Sequence, residues 1–204
     1  MGLREKKAQR NWDRIVSEAL ILFARDGYEQ TTMESIAEAA EVSPSTLYRY
    51  FPSKDLIILA RYKTFSETFA EVFATHSANH PVDEALAQAI FTVLDREDDH
   101  REETLLVRSI LDRSPIPRAR LWDYLSEQEH LLSVQLAERL DTGVDDLRVV
   151  LTARLAILIV GTAADRWRAG GGLQSSRSCA EAVMRLFQEQ AVILPRPPKK
   201  NNQA

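Results

Sequence analysis

The chain has 204 residues, a formal net charge of −4 and a hydrophobic content of 45%, which is ordinary for a soluble globular protein of one or two domains. Its single cysteine, Cys179, excludes an internal disulfide framework and favours the reducing cytoplasm. No apolar segment follows the basic N-terminus, and the apolar run 149–164 is short and contains Arg154, so we expect neither a secretory signal nor a membrane partner.

The N-terminal quarter carries the signals of short helices. Basic residues gather near the start, so residues 1–10 are predicted to form a flexible basic arm that enters a minor groove, or simply a solvated tail. An apolar stripe at helical spacing predicts a first helix from about Asn11 to Arg25, ended by Gly27. Thr31 and Glu34 have the spacing of a capping box and predict the start of a second helix.

A third helix follows after a very short link. Ser43 is predicted to cap it, and Pro44 suits its first turn. Leu47 and Phe51 are expected to face inward. The next helix is predicted to run unbroken from Ser53 to about Thr75, and thus to act as a rigid connection between the N-terminal unit and the rest of the chain.

The remaining sequence predicts five more helices, which run from about Val82 to Arg96, Arg101 to Arg113, Arg118 to Leu140, Asp145 to Trp167 and Ser176 to Val192. Strand signals are poor throughout. We therefore predict an all-α protein of about nine helices. Residues 11–55 are expected to form a small N-terminal domain, 56–194 a larger helical domain, and 195–204 a disordered tail.

The second and third helices together have the pattern of a helix-turn-helix. In that motif the first helix braces against the nucleic-acid backbone, and the second presents its N-terminal side chains to base edges in the major groove. Here the second helix reads SPSTLYRY over residues 43–50, with hydroxyls, tyrosines and an arginine at its outward positions. Few packing roles would select that mix, so the pattern predicts a double-stranded DNA partner.

The stretches TTMESIA (31–37), VS (42–43) and TLYRYFPSK (46–54) resemble the tetracycline-repressor (TetR) family over about residues 11–60. The resemblance implies a repressor without enzymatic activity or cofactor. It would bind a palindromic operator as a homodimer through its last two helices and be released by a small effector. The segment 101–168 is also similar to the ligand domains of a subgroup that includes mycofactocin-type regulators. Glu41 departs from the family pattern, which usually has glycine in this turn.

The resemblance also implies DNA-binding roles for Thr32, Ser43, Pro44, Ser45, Thr46, Tyr48, Arg49, Tyr50 and Lys54. Arg49 and Ser45 are expected to read bases, with Pro44 in apolar contact. Hydroxyls, backbone amides and Lys54 are expected to bind phosphates. The alternative for Tyr48 and Tyr50 is packing within the domain.

Residues expected to line an effector pocket are apolar or isolated polar groups on the middle helices: Phe65, Phe69, Phe91, Leu94, Arg108, Ile110, Trp122, Leu125, Arg154 and Leu158. The subgroup resemblance implies an acyl-CoA or another amphipathic carboxylate as effector. Arg108 or Arg154 would then bind its negative group. The alternative is that both arginines pair with acidic residues of neighbouring helices.

The predicted helix from Asp145 to Trp167 is apolar over more than one face, which suits a dimer interface or, alternatively, the central helix of a monomer. If Ala156 or Ala163 faces the partner, a glutamate there should give monomers.

Two rival functions are weaker. His76 and His80 loosely resemble a metal cluster, but Pro81 separates them from the nearby acids, so a surface pair is the better interpretation and no metal site is expected. A helical protein-interaction scaffold would not need the exposed Ser-Tyr-Arg-Tyr face.

Overall fold

The structure, a computed structural model, describes residues 2–195, without the side chains of residues 3, 4 and 61–68. Over this range it contains helices and no strand, which confirms the predicted all-α class. The ten helices are α1 (Leu3–Asp26), α2 (Met33–Ala39), α3 (Pro44–Tyr50), α4 (Lys54–Ile58), α5 (Ala60–Ser77), α6 (Val82–Asp99), α7 (Arg101–Arg113), α8 (Pro115–Arg139), α9 (Leu147–Ala169) and α10 (Ser176–Gln188).

Helix α1 begins about two turns before the predicted start at Asn11. Residues 3–10, expected to form a flexible arm, are therefore helical. The Glu5 carboxylate accepts a hydrogen bond from the Gly2 backbone N–H at 2.7 Å, which satisfies one donor at the start of the helix. The lysine, alanine, glutamine and arginine residues that follow have high helix propensity, so the basic segment extends the helix.

The predicted capping box of α2 is wrong by one residue. Thr32, not Thr31, is the N-cap: its hydroxyl accepts from the Ser35 N–H at 3.1 Å, and the Ser35 hydroxyl accepts from the Thr32 N–H at 3.1 Å. Thr31 is buried instead, and its hydroxyl donates to the Gly27 carbonyl at 2.9 Å. Ser35, at the third helical position, thus completes the capping box in place of Glu34.

The helix predicted from Ser53 to Thr75 is interrupted at Leu59. Four consecutive residues at this point, 57–60, are all buried. Four residues in a row cannot all lie on one face of a helix, so protein surrounds the chain on all sides at this point. Leu59, with φ of −81° and ψ of −6°, separates α4 from α5, so the predicted continuous helix is two helices.

The prolines at positions 115 and 117 begin a helix instead of separating two helices. Ser114 precedes the first turn of α8, and Pro115 occupies its first position. Proline is tolerated there because the first backbone N–H groups of a helix have no partner within it. Helix α8 is therefore longer at its N-terminus than predicted.

The apolar residues form two cores. The first joins α1–α4 to α7 and α8 through Val107, Ile110, Leu111, Leu121 and Tyr124. The second is built from α5, α6, α8, α9 and α10, and contains the buried Cys179. Helix α8 contributes to both cores, as does α5 through Ala60 in the first core and Phe69 in the second, so these two helices connect the N-terminal unit to the larger helical body.

Helix α9 is long and apolar enough to cross a membrane by length and composition alone, and it is the one such helix among residues 2–195. Only 33% of its most apolar 18-residue stretch is buried. One side of the helix packs in the second core through residues such as Ala153 and Trp167. The other side exposes four leucines at helical spacing, Leu147, Leu151, Leu155 and Leu158. An exposed apolar stripe of this size marks an interaction surface.

Candidate DNA-reading helix and effector cavity

Helix α3 is held so that its polar face points to solvent. The Ser43 hydroxyl accepts from the Thr46 N–H at 3.2 Å, and Pro44 occupies the first turn, which confirms the predicted cap. Leu47 is completely buried and fixes the helix on the first core. Thr46 and Tyr50 are half-buried, and the remaining predicted DNA-binding residues of this helix and its cap are exposed: Ser43, Pro44, Ser45, Tyr48 and Arg49.

The two tyrosines of α3 differ in their surroundings. Tyr48 is 44% exposed, and its hydroxyl donates to Glu34 Oε1 at 3.3 Å. Desolvation and the Glu34 carboxylate raise the pKa of Tyr48 above its ordinary value. Tyr50 packs against the first core, as the packing alternative describes, and the Arg49 guanidinium lies 5.5 Å from its ring centroid. Tyr50 therefore links the exposed Arg49 side chain to the first core.

Lys54 is bound to the protein itself. Its ammonium donates to the carbonyls of Tyr28 at 2.7 Å, Glu29 at 3.2 Å and Thr31 at 3.3 Å, and it lies 4.4 Å from the Tyr28 ring centroid. An ammonium has three donors, and all three have acceptors here. The Tyr28 hydroxyl donates to Asp55, and burial together with that carboxylate raises the pKa of Tyr28. Lys54 thus ties the α1–α2 connection to α4.

The turn between α2 and α3 has a left-handed residue where the family pattern has glycine. Glu41 has a φ of 47°, so the turn has the geometry that glycine favours. Its carboxylate accepts from Arg14 Nη2 at 2.8 Å, and Arg14 Nε donates to the Ala40 carbonyl at 2.5 Å. The glutamate is therefore directed towards α1, and its charge is balanced by Arg14.

A cavity lies where the two cores meet. The volume of the cavity is about 90 Å³. Leu121 and Tyr124 belong to the first core, whereas Phe69 and Val93 belong to the second. Among the residues whose side chains the structure describes, the lining consists of Phe69, Val93, Glu97, Arg108, Leu121, Tyr124, Leu125, Gln128, Ile157, Val160 and Gly161.

Three of the ten predicted pocket residues line this cavity, namely Phe69, Arg108 and Leu125. Phe65 lies outside the described side chains. Leu94 and Ile110 are buried in the second and first cores, away from the cavity lining. Phe91 packs under the Arg177 guanidinium, which lies 4.5 Å from its ring centroid.

The other three predicted pocket residues lie on the surface of the protomer and do not line this cavity. The side chain of Arg154 is 62% exposed, Trp122 is 68% exposed and Leu158 is 51% exposed. The periodicity of α8 and α9 shows which residues share a face, but not which of two apolar faces points inward. Both helices have apolar residues on more than one side, so the outer face was mistaken for the inner one.

Sequence reasoning missed most of the lining, although one signal was available. Leu121, Tyr124, Leu125 and Gln128 follow one another at i, i+3, i+4 and i+7, which is a single helical stripe. Glu97 had no such signal, because it lies in the run of charged residues from 95 to 99, a pattern typical of a solvated helix end.

Both predicted anion-binding arginines pair with glutamates of neighbouring helices, as the alternative interpretation proposed. Arg154 Nε lies 2.8 Å from Glu129 Oε1, and Arg108 Nη2 lies 3.8 Å from Glu97 Oε1. Glu97 is 4% exposed, and burial raises the pKa of its carboxyl while the charge of Arg108 opposes the rise. Glu97 Oε2 has no hydrogen-bond partner among the described residues.

The two histidines near the end of α5 lie beside an acidic residue. His76 and His80 have ring centroids 5.9 Å apart, and His80 Nδ1 lies 3.6 Å from a Glu84 carboxylate oxygen. Among the side chains that the structure describes, no group of three or more His, Cys, Asp or Glu is arranged to hold a metal ion.

A capped, exposed helix behind a tight turn, mounted on an all-α body, defines a helix-turn-helix DNA-binding regulator. Residues 15–60 match the family model described as bacterial regulatory proteins, tetR family. The chain is 33% identical over 151 residues to the HTH-type transcriptional regulator TcmR of Streptomyces glaucescens, an alignment that covers 71% of this chain and 67% of TcmR. The chain belongs to the TetR family, whose members are DNA-binding transcriptional regulators and not enzymes.

Two further similarities cover different parts of the molecule. The HTH-type transcriptional repressor KstR of Rhodococcus jostii is 45% identical over 53 residues, which span 26% of this chain and 25% of KstR. The crystal structure of FadR from Bacillus subtilis, in complex with stearoyl-CoA, superposes with a TM-score of 0.64 over 86% of this chain and 97% of FadR. Because the sequence identity is only 20%, this similarity shows a shared fold and nothing more.

Proposed function

We propose that the protein is a cytoplasmic repressor that binds a palindromic DNA operator as a homodimer and is released by a small amphipathic effector. The observation that carries the proposal is the exposed polar face of α3, which is held in place by a buried leucine and a capped N-terminus. Residues 11–55 would form the DNA-binding domain, and 56–194 the effector-binding and dimerisation domain.

In this proposal Arg49 and Ser45 read base edges, with Pro44 in apolar contact. Thr32, Ser43, Thr46, Tyr48 and Tyr50 would bind or brace against the phosphate backbone. Lys54 would act mainly as a positioning residue, since its donors are engaged by backbone carbonyls. The exposed basic side chains near the start of α1 would add phosphate contacts.

The homodimer would form through α9 and α10. The leucines of α9 at positions 147, 151, 155 and 158 form an exposed apolar stripe. On the next helix, α10, Leu186 is 47% exposed. Ala156 and Ala163, considered as partner-facing residues, are buried inside the protomer. Glutamate at either position would therefore disrupt the second core and report on folding, not on dimerisation.

The effector would bind in the cavity between the two cores. Leu121 and Tyr124 line the cavity and also pack against the N-terminal unit, so a ligand that moves α8 changes the support of α3. This route replaces the rigid helix expected from the sequence, which is interrupted at Leu59. An acyl-CoA remains one candidate effector class, since FadR of B. subtilis binds stearoyl-CoA.

A fluorescence anisotropy titration against DNA from the region upstream of the protein's own gene, repeated over a range of salt concentrations, tests DNA recognition. A specific operator should bind at least about a thousandfold more tightly than random DNA of equal length. Equal affinity for both, or no binding at low salt, would favour the scaffold alternative.

A further inference from the structure

The cavity contains a buried acceptor that the protein leaves unused. Glu97 lines the cavity and is 4% exposed, and its Oε2 lacks a hydrogen-bond partner among the described residues. A buried carboxylate oxygen without a donor is costly, because it has lost water and gained nothing in return. A donor supplied by a ligand would remove that cost.

The charge balance at the same end of the cavity disfavours an anionic ligand. Arg108 is the cation among the described lining residues, and its Nη2 already lies 3.8 Å from Glu97 Oε1. A ligand carboxylate would have to draw Arg108 away from Glu97, leaving that buried charge uncompensated, or approach Glu97 directly. Burial raises the pKa of Glu97, the charge of Arg108 opposes this rise, and the carboxylates of Asp98 and Asp165 add smaller contributions in the same direction as burial.

The remaining walls set the shape of the ligand. Apart from Glu97, Arg108, Tyr124 and Gln128, the lining is apolar, and the open volume is about 90 Å³. An apolar cavity of roughly 150 Å³ binds one benzene ring. A single ring or a short branched chain therefore fits after small movements of partly exposed side chains such as Leu125 and Ile157.

We propose that this cavity binds a small, mainly apolar molecule through a hydrogen-bond donor, an amine or a hydroxyl, that Glu97 Oε2 accepts, and that it discriminates against carboxylates. This inference rests on the proposed function, because it names the polar group of the effector. It also sets this chain apart from a binder of carboxylate head groups.

Three probes of matched shape test the proposal: 2-phenylethylamine, 2-phenylethanol and phenylacetate. Their dissociation constants for the full chain are measured by ligand-observed NMR or calorimetry. We expect the amine and the alcohol to bind at least tenfold more tightly than phenylacetate. Comparison of the amine with the alcohol shows whether the cavity prefers a cationic or a neutral hydrogen-bond donor.

The substitution Glu97→Gln retains an acceptor of nearly equal size but removes the negative charge. In this variant, binding of the amine should weaken by tenfold or more, and binding of the alcohol should change by less than threefold. Binding of phenylacetate should strengthen, because the negative charge of Glu97 no longer pairs with Arg108. Gly161→Leu is the second variant: a Cβ at Gly161 would have nothing within 4 Å, so a leucine can fill the cavity and should weaken the amine and the alcohol alike. Melting temperature and light scattering verify that both variants fold and keep the native oligomeric state.

Tighter binding of phenylacetate than of the amine and alcohol would overturn the proposal, as would binding of none of the probes at millimolar concentration or unchanged selectivity in Glu97→Gln. Because the probes are measured without DNA, these outcomes are independent of repression. If the probes bind as expected but leave operator affinity unchanged, the cavity assignment stands and effector release fails.

Discussion

Arg49 occupies an exposed position on α3, with its guanidinium beside the Tyr50 ring, so it can reach a base edge without breaking a buried contact. We expect Arg49→Ala to weaken operator binding by about 1–3 kcal/mol, the usual value of a bidentate arginine–guanine contact. Random DNA should lose much less. Anisotropy with both DNAs measures the difference, and Arg49→Lys is the matched control that keeps the charge. Equal losses on both DNAs would make Arg49 a phosphate contact only.

Lys54 should behave differently, because its ammonium is bound by three backbone carbonyls. Lys54→Ala should lower the free energy of unfolding by about 1.5–3 kcal/mol, the range for hydrogen bonds to a charged group. The salt dependence of DNA binding should keep its slope. A slope smaller by about one ion, with unchanged stability in urea, would instead show a direct phosphate contact.

The left-handed conformation of Glu41 allows a direct measurement of turn strain. Glu41→Gly and Glu41→Gln both remove the exposed ion pair with Arg14, but only glycine relieves the positive φ of 47°. We expect the glycine variant to be more stable than the glutamine variant by about 1 kcal/mol in urea unfolding. If the two variants unfold at the same urea concentration, the turn carries no strain.

At this scale the sequence predicted the residues whose role depends on local chemistry. Ser43 caps α3, and Leu47 faces inward, because capping and helical periodicity act within a few residues. The role of Lys54 depends on carbonyls more than twenty positions away, and the orientation of Glu41 depends on Arg14. Such contacts leave no periodic or spacing signal in one sequence.

Two glycines, one in α9 and one in the loop that follows it, differ in the space available for a side chain. Gly161 lies inside α9 with open space at its Cβ position, so Gly161→Ala should raise the free energy of unfolding by about 1 kcal/mol through helix propensity. At Gly172, with φ of +66°, a Cβ would lie 2.7 Å from Arg101 Nε and 3.1 Å from the Trp167 ring. Gly172→Ala should therefore be destabilising by about 1–2 kcal/mol or more.

Thermal unfolding of the two glycine variants, side by side with the wild type, measures both changes. A destabilised Gly161→Ala would contradict the open space at this position of the cavity wall.

Helix boundaries were predictable where a cap or a glycine ends the pattern, and less so elsewhere. Arg101–Arg113 was predicted as the structure has it, whereas the start of α1 and the break at Leu59 were not. The start of α1 depends on propensity in a segment with no apolar stripe. The break at Leu59 has no glycine, proline or cap that would mark it in the sequence, and residues 57–60 around it are all buried.

At the scale of the whole molecule, a charge placed among the exposed leucines of α9 should prevent the proposed dimer from forming. Leu151→Glu and Leu158→Glu, at positions 62% and 51% exposed, should give folded monomers in light scattering at micromolar concentration. Both variants should lose specific operator binding, since one protomer reads only one half-site.

Ile116→Glu is the matched control for the dimer, because Ile116 is 64% exposed and belongs to α8, which is not one of the two helices of the proposed interface. It should remain dimeric. Monomeric wild-type protein, or dimers in both leucine variants, would contradict the assignment of this surface.

The first core extends across the boundary that would separate a DNA-binding domain from an effector domain. Five of its side chains come from α7 and α8, and the Ser114 hydroxyl at the junction of these helices donates to Glu29 Oε1 at 3.1 Å. A chimaera that joins residues 1–60 to the body of a distant relative would therefore meet a surface shaped for another partner. Such an exchange of specificity should succeed only when the α7–α8 faces are transplanted with the reading unit, so that the two parts of this regulator are inherited as a matched pair.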